Sequence, residues 1–182
     1  MQKAATFRRA TANDCEAILQ LQSANYIANL SDRKDGFLSA EFTRGQIADM
    51  TGDLGITVAA YAAEIAGYLC AFRNDFKHGS PVLAKMFEAY DRARYRGRPL
   101  SLYRSYVYGP VCVGREYRRR GLLRGLYEAQ KSDLAGQFEI GVAFVSRDNP
   151  HSLQVHVAGL GMSAVGEFAV NEKSYVILAF DL

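Results

Sequence analysis

Leu102-Tyr-Arg-Ser-Tyr-Val-Tyr-Gly-Pro-Val-Cys-Val-Gly-Arg-Glu-Tyr-Arg-Arg-Arg-Gly-Leu-Leu-Arg-Gly125 decides how this chain is read. Residues 102 to 113 are rich in Tyr and Val and read as a strand. A short turn follows, and a helix is expected from 119 to about 135. Leu122, Leu123, Leu126, Ala129 and Leu134 form the helix's core side, and Gly136 closes it as a C-cap. The turn carries Arg118, Arg119, Arg120 and Gly121. A helix start offers backbone N–H groups without intrahelical acceptors. A glycine lets a ligand come close, and the arginines supply positive charge, so the turn has the makings of an anion site.

Gly109-Pro110 interrupts the strand. Proline donates no hydrogen bond to a ladder, so within a sheet it implies an edge or a bulge. A bulge here would separate the strand from its neighbour just before the anion turn. The N–H and C=O groups of Val111, Cys112 and Val113 would then face an extended ligand, as a paired strand would. A simple strand break at Gly109 is the other reading. Tyr106, Tyr108 and Pro110 share one face of the strand, and Ser105, Val107 and Gly109 the other.

Upstream, residues 5 to 9 form a first strand. Thr11 and Asp14 make a capping box before a helix over 13 to 29, with Ile18, Leu19, Leu21 and Ile27 at helical spacing. A polar loop at 31 to 36 leads to a second helix, capped by Ser39 and running to about Met50. Apolar runs at 56 to 63 and 66 to 73 read as a hairpin turning at Glu64-Ile65. A helical insertion at about 76 to 98 follows, with Val82, Leu83, Met86, Phe87, Tyr90 and Ala93 on one face. It is either a lid or the cover of a sheet edge. Downstream come a buried strand at 140 to 145 and a short helix from Asn149 to about Gly159. Strands at 164 to 170 and 174 to 182 end the chain. The fold class is therefore α/β (α+β): one mixed sheet of about seven strands flanked by helices, in a single domain over 1 to 182. An exposed final strand would let two copies pair as a homodimer.

The chain has 182 residues, 49% of them hydrophobic and 23% charged, which suits a soluble domain with a core of its own. It has no apolar run of roughly 20 residues. No signal peptide is evident, so no membrane partner is expected and the expected location is cytoplasmic. Cys15, Cys70 and Cys112 show no framework or zinc spacing, and His151 and His156 are five apart; no metal is expected. A net charge of +3 is too small to indicate nucleic acid by itself.

Three look-alikes fail. The Gly-x-x-x-x-Gly-Lys-Ser/Thr phosphate loop and the Gly-x-Ser-x-Gly elbow are absent. Gly159-x-Gly161-x-x-Ala164 matches a dinucleotide fingerprint in letters only, because it leaves a helix and enters a strand.

Arg118-Arg119-Arg120-Gly121-Leu122-Leu123 resembles the Arg/Gln-x-x-Gly-x-Gly/Ala motif of the GNAT superfamily of acetyl-CoA-dependent N-acetyltransferases. Asn149-Pro-His-Ser152, His156 and Leu160-Gly161-Met162 resemble that family's Asn-x-x-Ser/Ala helix and Leu-Gly-Phe turn. The resemblance implies an acyl-CoA N-acyltransferase fold with a splayed central strand pair, and acetyl-CoA as co-substrate without a metal. It assigns cofactor binding to Val111, Cys112, Val113, Arg118, Arg119, Arg120, Gly121, Leu122, Leu123, Arg124, Asn149 and Ser152. Arg118 is expected to act by its side chain and the residues after it by their N–H groups. The implied reaction is direct attack of a small-molecule or peptide amine on the thioester, with a backbone N–H near Val111 to Val113 meeting the oxyanion. His156 stands where the family often has Tyr and is the candidate acid for the leaving thiolate; Tyr106 or Tyr108 is the candidate carrier of the amine's proton. The chain departs from the family's pattern in three places besides that exchange of His for Tyr. Leu123 replaces a small residue, the strand at 102 to 113 has no Glu, and the Leu-Gly turn arrives one residue late. The missing Glu and the His-for-Tyr exchange leave a catalytically silent acetyl-CoA-binding module as one alternative, and the arginine cluster with the nearby tyrosines leaves a nucleic-acid binder as another.

Overall fold

A computed structural model describes residues 4–76 and 80–182; residues 77–79, at the start of the expected insertion, lie outside the described residues. The chain packs as two compact units. The first holds the described residues up to Arg33, with Phe37–Phe72 and Gly109–Leu134. The second holds Lys34–Gly36, Arg73–Tyr108 and Ala135–Leu182.

In the first unit, β1 (Thr6–Arg9), β2 (Ile56–Tyr61) and β3 (Glu64–Phe72) form an antiparallel meander. Most residues of β2 and β3 are buried in succession, so both faces of these strands are covered. The covering helices are α1 (Cys15–Asn25), with α2 (Arg44–Gly52) against it, and α4 (Leu122–Leu134), which lies on β1, β2 and β3. Gly125 of α4 is a contact requirement: a Cβ there would stand 2.0 Å from the Phe7 ring. Gln130 of α4 donates to the carbonyls of Leu69 and Cys70 at 3.3 and 3.2 Å.

The second unit starts with α3 (Pro81–Glu88), capped by the Ser80 hydroxyl, which accepts from the Leu83 N–H. A small hairpin comes after it, β4 (Arg94–Tyr95) with β5 (Arg98–Pro99). Next come β6 (Ser105–Val113), whose first half belongs here, β7 (Ile140–Ser146), α5 (Pro150–Gln154), β8 (Ser163–Val170) and β9 (Lys173–Asp181). β6 runs parallel to β7 from Ser105–Ile140 to Val107–Val142, and β9 lies antiparallel to both β7 and β8. The strands take the order β1-β2-β3-β6-β7-β9-β8, a mostly antiparallel seven-stranded sheet with one parallel pair. The parallel ladder ends at Val107, two residues before Gly109-Pro110, and β6 goes on to Val113.

Several boundaries differ from the sequence reading, each for a local reason. Thr43, not Ser39, caps the second helix. Gln46 returns its side chain to the Thr43 N–H at 2.8 Å, which completes a capping box. The β2–β3 hairpin turns at Ala62-Ala63, where Ala62 takes φ +57°, and Glu64 already pairs with Tyr61. Among its described residues the insertion is helical over Pro81–Glu88, and Arg96 and Gly97, both at positive φ, fold its end into the β4–β5 hairpin. The final strand is not an edge: β9 is flanked by β7 and β8, and the sheet's outer strands are β1 and β8.

Asp14 ties β1 to the first helical turn. Its carboxylate accepts from both Arg8 guanidinium nitrogens at 2.7 and 2.8 Å. It also accepts from the Thr11 N–H at 2.7 Å and from the Thr11 hydroxyl at 3.0 Å. The bond from Arg8 is the main reason its carboxyl is held down from 3.8 to about 2. A carboxylate depressed in the folded state stabilises above its unfolded pKa and loses that stabilisation as pH falls through the folded one. Urea unfolding should therefore lose about 2 kcal/mol of Asp14-dependent stability between about pH 5 and pH 2. Asp14→Asn should be less stable at pH 7 and show a flatter acid dependence; parallel pH curves for the two proteins would contradict this assignment.

Candidate active site

The first cluster is the turn between β6 and α4. Gly114 N–H donates to the Ala66 carbonyl at 2.8 Å, which holds the end of β6 against β3. Gly67 of β3 permits this close approach, since a Cβ there would stand 2.9 Å from the Cys112 carbonyl. Residues Arg115–Tyr117 make one 3-10 turn. Arg119 (φ +61°) and Gly121 (φ +78°) then adopt left-handed backbone conformations. That conformation is natural for glycine and uncommon for arginine. A Cβ on Gly121 would meet nothing within 4 Å, so the glycine serves conformation and leaves its side of the turn open. Gly125 N–H makes a helical bond to the Gly121 carbonyl at 3.1 Å. The N–H groups of Leu122 and Leu123 therefore open the helix, ahead of the i→i−4 ladder. The helix starts three residues later than the sequence suggested, and Arg118, Arg119, Arg120 and Gly121 form the turn itself. Leu122 is buried and Leu123 half-buried; Arg119, Arg120 and Arg124 are exposed.

The side chains around the turn hold it in place. Arg118 reaches back: its Nε donates to the Val113 carbonyl at 3.2 Å, and its guanidinium donates to Asn25 Oδ1 at 2.8 Å. Asn25, at the end of α1, is itself buried and donates to the Leu21 carbonyl at 2.8 Å. Tyr117 stacks on Tyr61 at 5.4 Å between ring centroids, carries the Arg120 guanidinium over its ring, and hydrogen-bonds Glu64. Cys112 is buried, and burial pushes its thiol up to about 12, so it is packing rather than a nucleophile.

The second cluster lies in the second unit. Tyr108 and His156 are both buried, and their rings meet edge to face at 5.6 Å. Tyr108 Oη lies 3.3 Å from His156 Nε2, and His156 Nδ1 lies 2.7 Å from the Ser152 carbonyl. Burial lowers the pKa of His156, opposed by the bond to Ser152. Phe180 sits against both Tyr106 and Tyr108, over Gly141, where a Cβ would stand 2.2 Å from the Phe180 ring. Tyr106 packs between Phe138 and Phe180. Asn149 caps α5: its Oδ1 accepts from the Ser152 N–H at 3.3 Å. After α5 the helix widens into a π turn over Val155–Gly159, with Leu160 N–H bonding to the Val155 carbonyl at 3.0 Å.

No family profile matches this sequence, and no curated protein matches it either. Solved structures do match the fold. An N-acetyltransferase from Staphylococcus aureus Mu50 superposes with a TM-score of 0.63 at 14% identity, covering 98% of this chain and 99% of that one. A GNAT-family acetyltransferase from Streptococcus agalactiae gives 0.66 at 16% identity over 98% and 95%. A third is yncA, a putative acetyltransferase from Salmonella typhimurium solved with its cofactor acetyl-CoA, at 0.60 and 14% over 99% and 95%. The fold is that of the GNAT acetyltransferases.

Within that fold, the GNAT-like motif residues Arg118 to Leu123 occupy the strand-to-helix turn, and Asn149, Ser152 and His156 occupy α5 and the π turn. The π turn holds one residue more than an α-helical turn would, which accounts for the late Leu160-Gly161. Asn25, Tyr61, Glu64, Gly141 and Phe180 are not among the residues the sequence points to. Only the late Leu-Gly turn signals anything unusual there. Among the described residues, no group of three or more His, Cys, Asp or Glu side chains could hold a metal ion, and no helix is long and apolar enough to cross a membrane.

The Arg118–Asn25 bond makes a direct prediction. Asn25→Ala removes an acceptor from a buried network and should cost about 1 to 3 kcal/mol in denaturant unfolding. A loss within about 0.5 kcal/mol, the range of an ordinary surface substitution, would show that Arg118 does not depend on it.

Proposed function

We propose that this chain is an N-acetyltransferase that moves the acetyl group of acetyl-CoA to a primary amine by direct attack. The observation that carries the reading is the turn at Arg118–Gly121. It has two left-handed residues among three arginines, at the opening of α4, just after a strand interrupted by Gly109-Pro110. This arrangement suits the pyrophosphate of coenzyme A, received by the N–H groups of Arg119 to Arg124 and by the positive end of the helix. Arg118 serves by holding the turn to the end of β6 and to α1. Val111, Cys112 and Val113 offer backbone groups to the pantetheine arm and the thioester oxygen. Tyr108 and His156 are the proton carriers.

The fold supports the reading, and so does the acetyl-CoA bound to yncA. The acceptor is read less directly. The ribosomal-protein-S18-alanine N-acetyltransferase of Escherichia coli and the NatC complex bound to Gag peptide share this fold, which favours a peptide amine over other acceptors.

Thermal unfolding with and without acetyl-CoA tests the cofactor assignment. At 100 times the dissociation constant, a ligand that binds only the folded state adds about 2.7 kcal/mol. The native protein should shift accordingly, and an Arg118→Ala, Gly121→Glu double variant should not. Equal shifts in both would move the cofactor elsewhere. No shift at saturating acetyl-CoA would refute the function.

A further inference from the structure

We propose that Tyr108 and His156 work as one proton relay: Tyr108 alone meets the reactants, and His156 stands behind it as the base that takes the amine's proton and gives it back for the thiolate. The inference rests on the acetyltransferase reading above and deepens it. Its basis is an inventory of nitrogens. An imidazole has two, and both are bonded inside the fold. His156 Nδ1 faces the Ser152 carbonyl at 2.7 Å, with the Ser152 hydroxyl farther off at 3.4 Å, so the carbonyl is its close partner. A carbonyl oxygen only accepts, so Nδ1 carries the proton. In the neutral ring Nε2 is then bare, and its partner at 3.3 Å is the Tyr108 hydroxyl, which must donate. No nitrogen of His156 is left to touch a thiolate or an amine. Any proton it exchanges passes through Tyr108 Oη.

The surroundings fix this arrangement. Both rings are buried, and Phe180 braces Tyr108 edge to face at 5.5 Å. Gly141 makes room for the Phe180 ring. The Ser152 carbonyl comes from α5, held by the Asn149 cap, and His156 lies in the π turn directly after it. Tyr106 has its ring between Phe138 and Phe180, and the hydroxyl 3.3 Å from His156 Nε2 is that of Tyr108.

The proton balance closes without another reactant. The amine lone pair attacks the thioester carbon and forms the C–N bond. The nitrogen's proton goes to Tyr108 Oη as the tyrosine's own proton moves to His156 Nε2. The C–S bond then breaks, the imidazolium returns its proton to Tyr108, and Tyr108 protonates the departing sulfur. One proton has moved from nitrogen to sulfur, and the dyad is unchanged. The second half runs downhill, since burial lowers the pKa of His156 while a thiol titrates at about 8.5.

The test is a double-mutant cycle on acetyl transfer with Tyr108→Phe, His156→Gln and the pair, with the acetyl-CoA thermal shift measured for each. Each single variant should keep the native shift and lose about 10²- to 10⁴-fold in kcat/KM. The double variant should fall within about twofold of the worse single one, because the two residues act as a unit. In nitrogen NMR, the native His156 ring should show a protonated Nδ1 and an acceptor Nε2. Losses that multiply, a native rate in either single variant, or a ring protonated at Nε2 would each overturn the relay. If the native protein shows the thermal shift and transfers acetyl while the cycle is additive, the relay fails and the function stands. If the native protein shows no shift, the function fails, and the relay with it.

Discussion

Pro110 brings no N–H to β6, and Gly109 before it takes φ +102°, so the main chain has no donor to offer a ladder at Pro110. The parallel pairing with β7 stops at Val107. The rest of the strand and the turn after it are arranged around that loss. Beyond the proline, β6 is held from the β3 side, by the Gly114–Ala66 bond and by the approach that Gly67 permits. At its end the Arg118 side chain folds back onto the Val113 carbonyl. A main chain that leaves its ladder on one side must find other partners there, or it would carry unsatisfied polar groups. Val111 to Val113 are thereby fixed from the β3 side while they lie beyond the end of the ladder with β7, which is what an extended ligand requires.

The turn shows a similar division of roles. Three arginines stand together, yet they do different jobs. Arg118 is committed to Asn25 and Val113, and Arg120 lies over the Tyr117 ring. The turn's affinity for an anion would therefore come mainly from oriented N–H groups and the helix start, with the charges setting the field around them. Salt should weaken the field more than the hydrogen bonds.

Much of the fold is legible in the residues. The apolar runs and helical spacings place every long element, and the strand, turn and helix around Gly121 can be read from local chemistry. Local signals mislead where tertiary context decides. Ala62-Ala63 has none of the usual turn residues, so the sequence puts the hairpin turn two residues late, beside the charged Glu64. Ser39 and Thr43 are both plausible caps by type. Only the Thr43–Gln46 pair, a signal present in the sequence, tells them apart. The Arg118–Asn25 bond spans 93 residues and has no local signature. The late Leu160-Gly161 is visible in the sequence, but a one-residue excess has many structural solutions. The π turn is the one this chain adopts, and it places His156 with Tyr108 on one ring nitrogen and Ser152 on the other.

The central claim is that coenzyme A sits on the backbone of β6 and the turn after it. Backbone amide NMR during titration with acetyl-CoA tests this most directly. The account predicts that the largest and saturable shifts fall on the N–H groups of Val111 to Val113 and Arg119 to Arg124, with β8 and the β4–β5 hairpin unmoved. Shifts concentrated on β8 and that hairpin, with the turn silent, would contradict it.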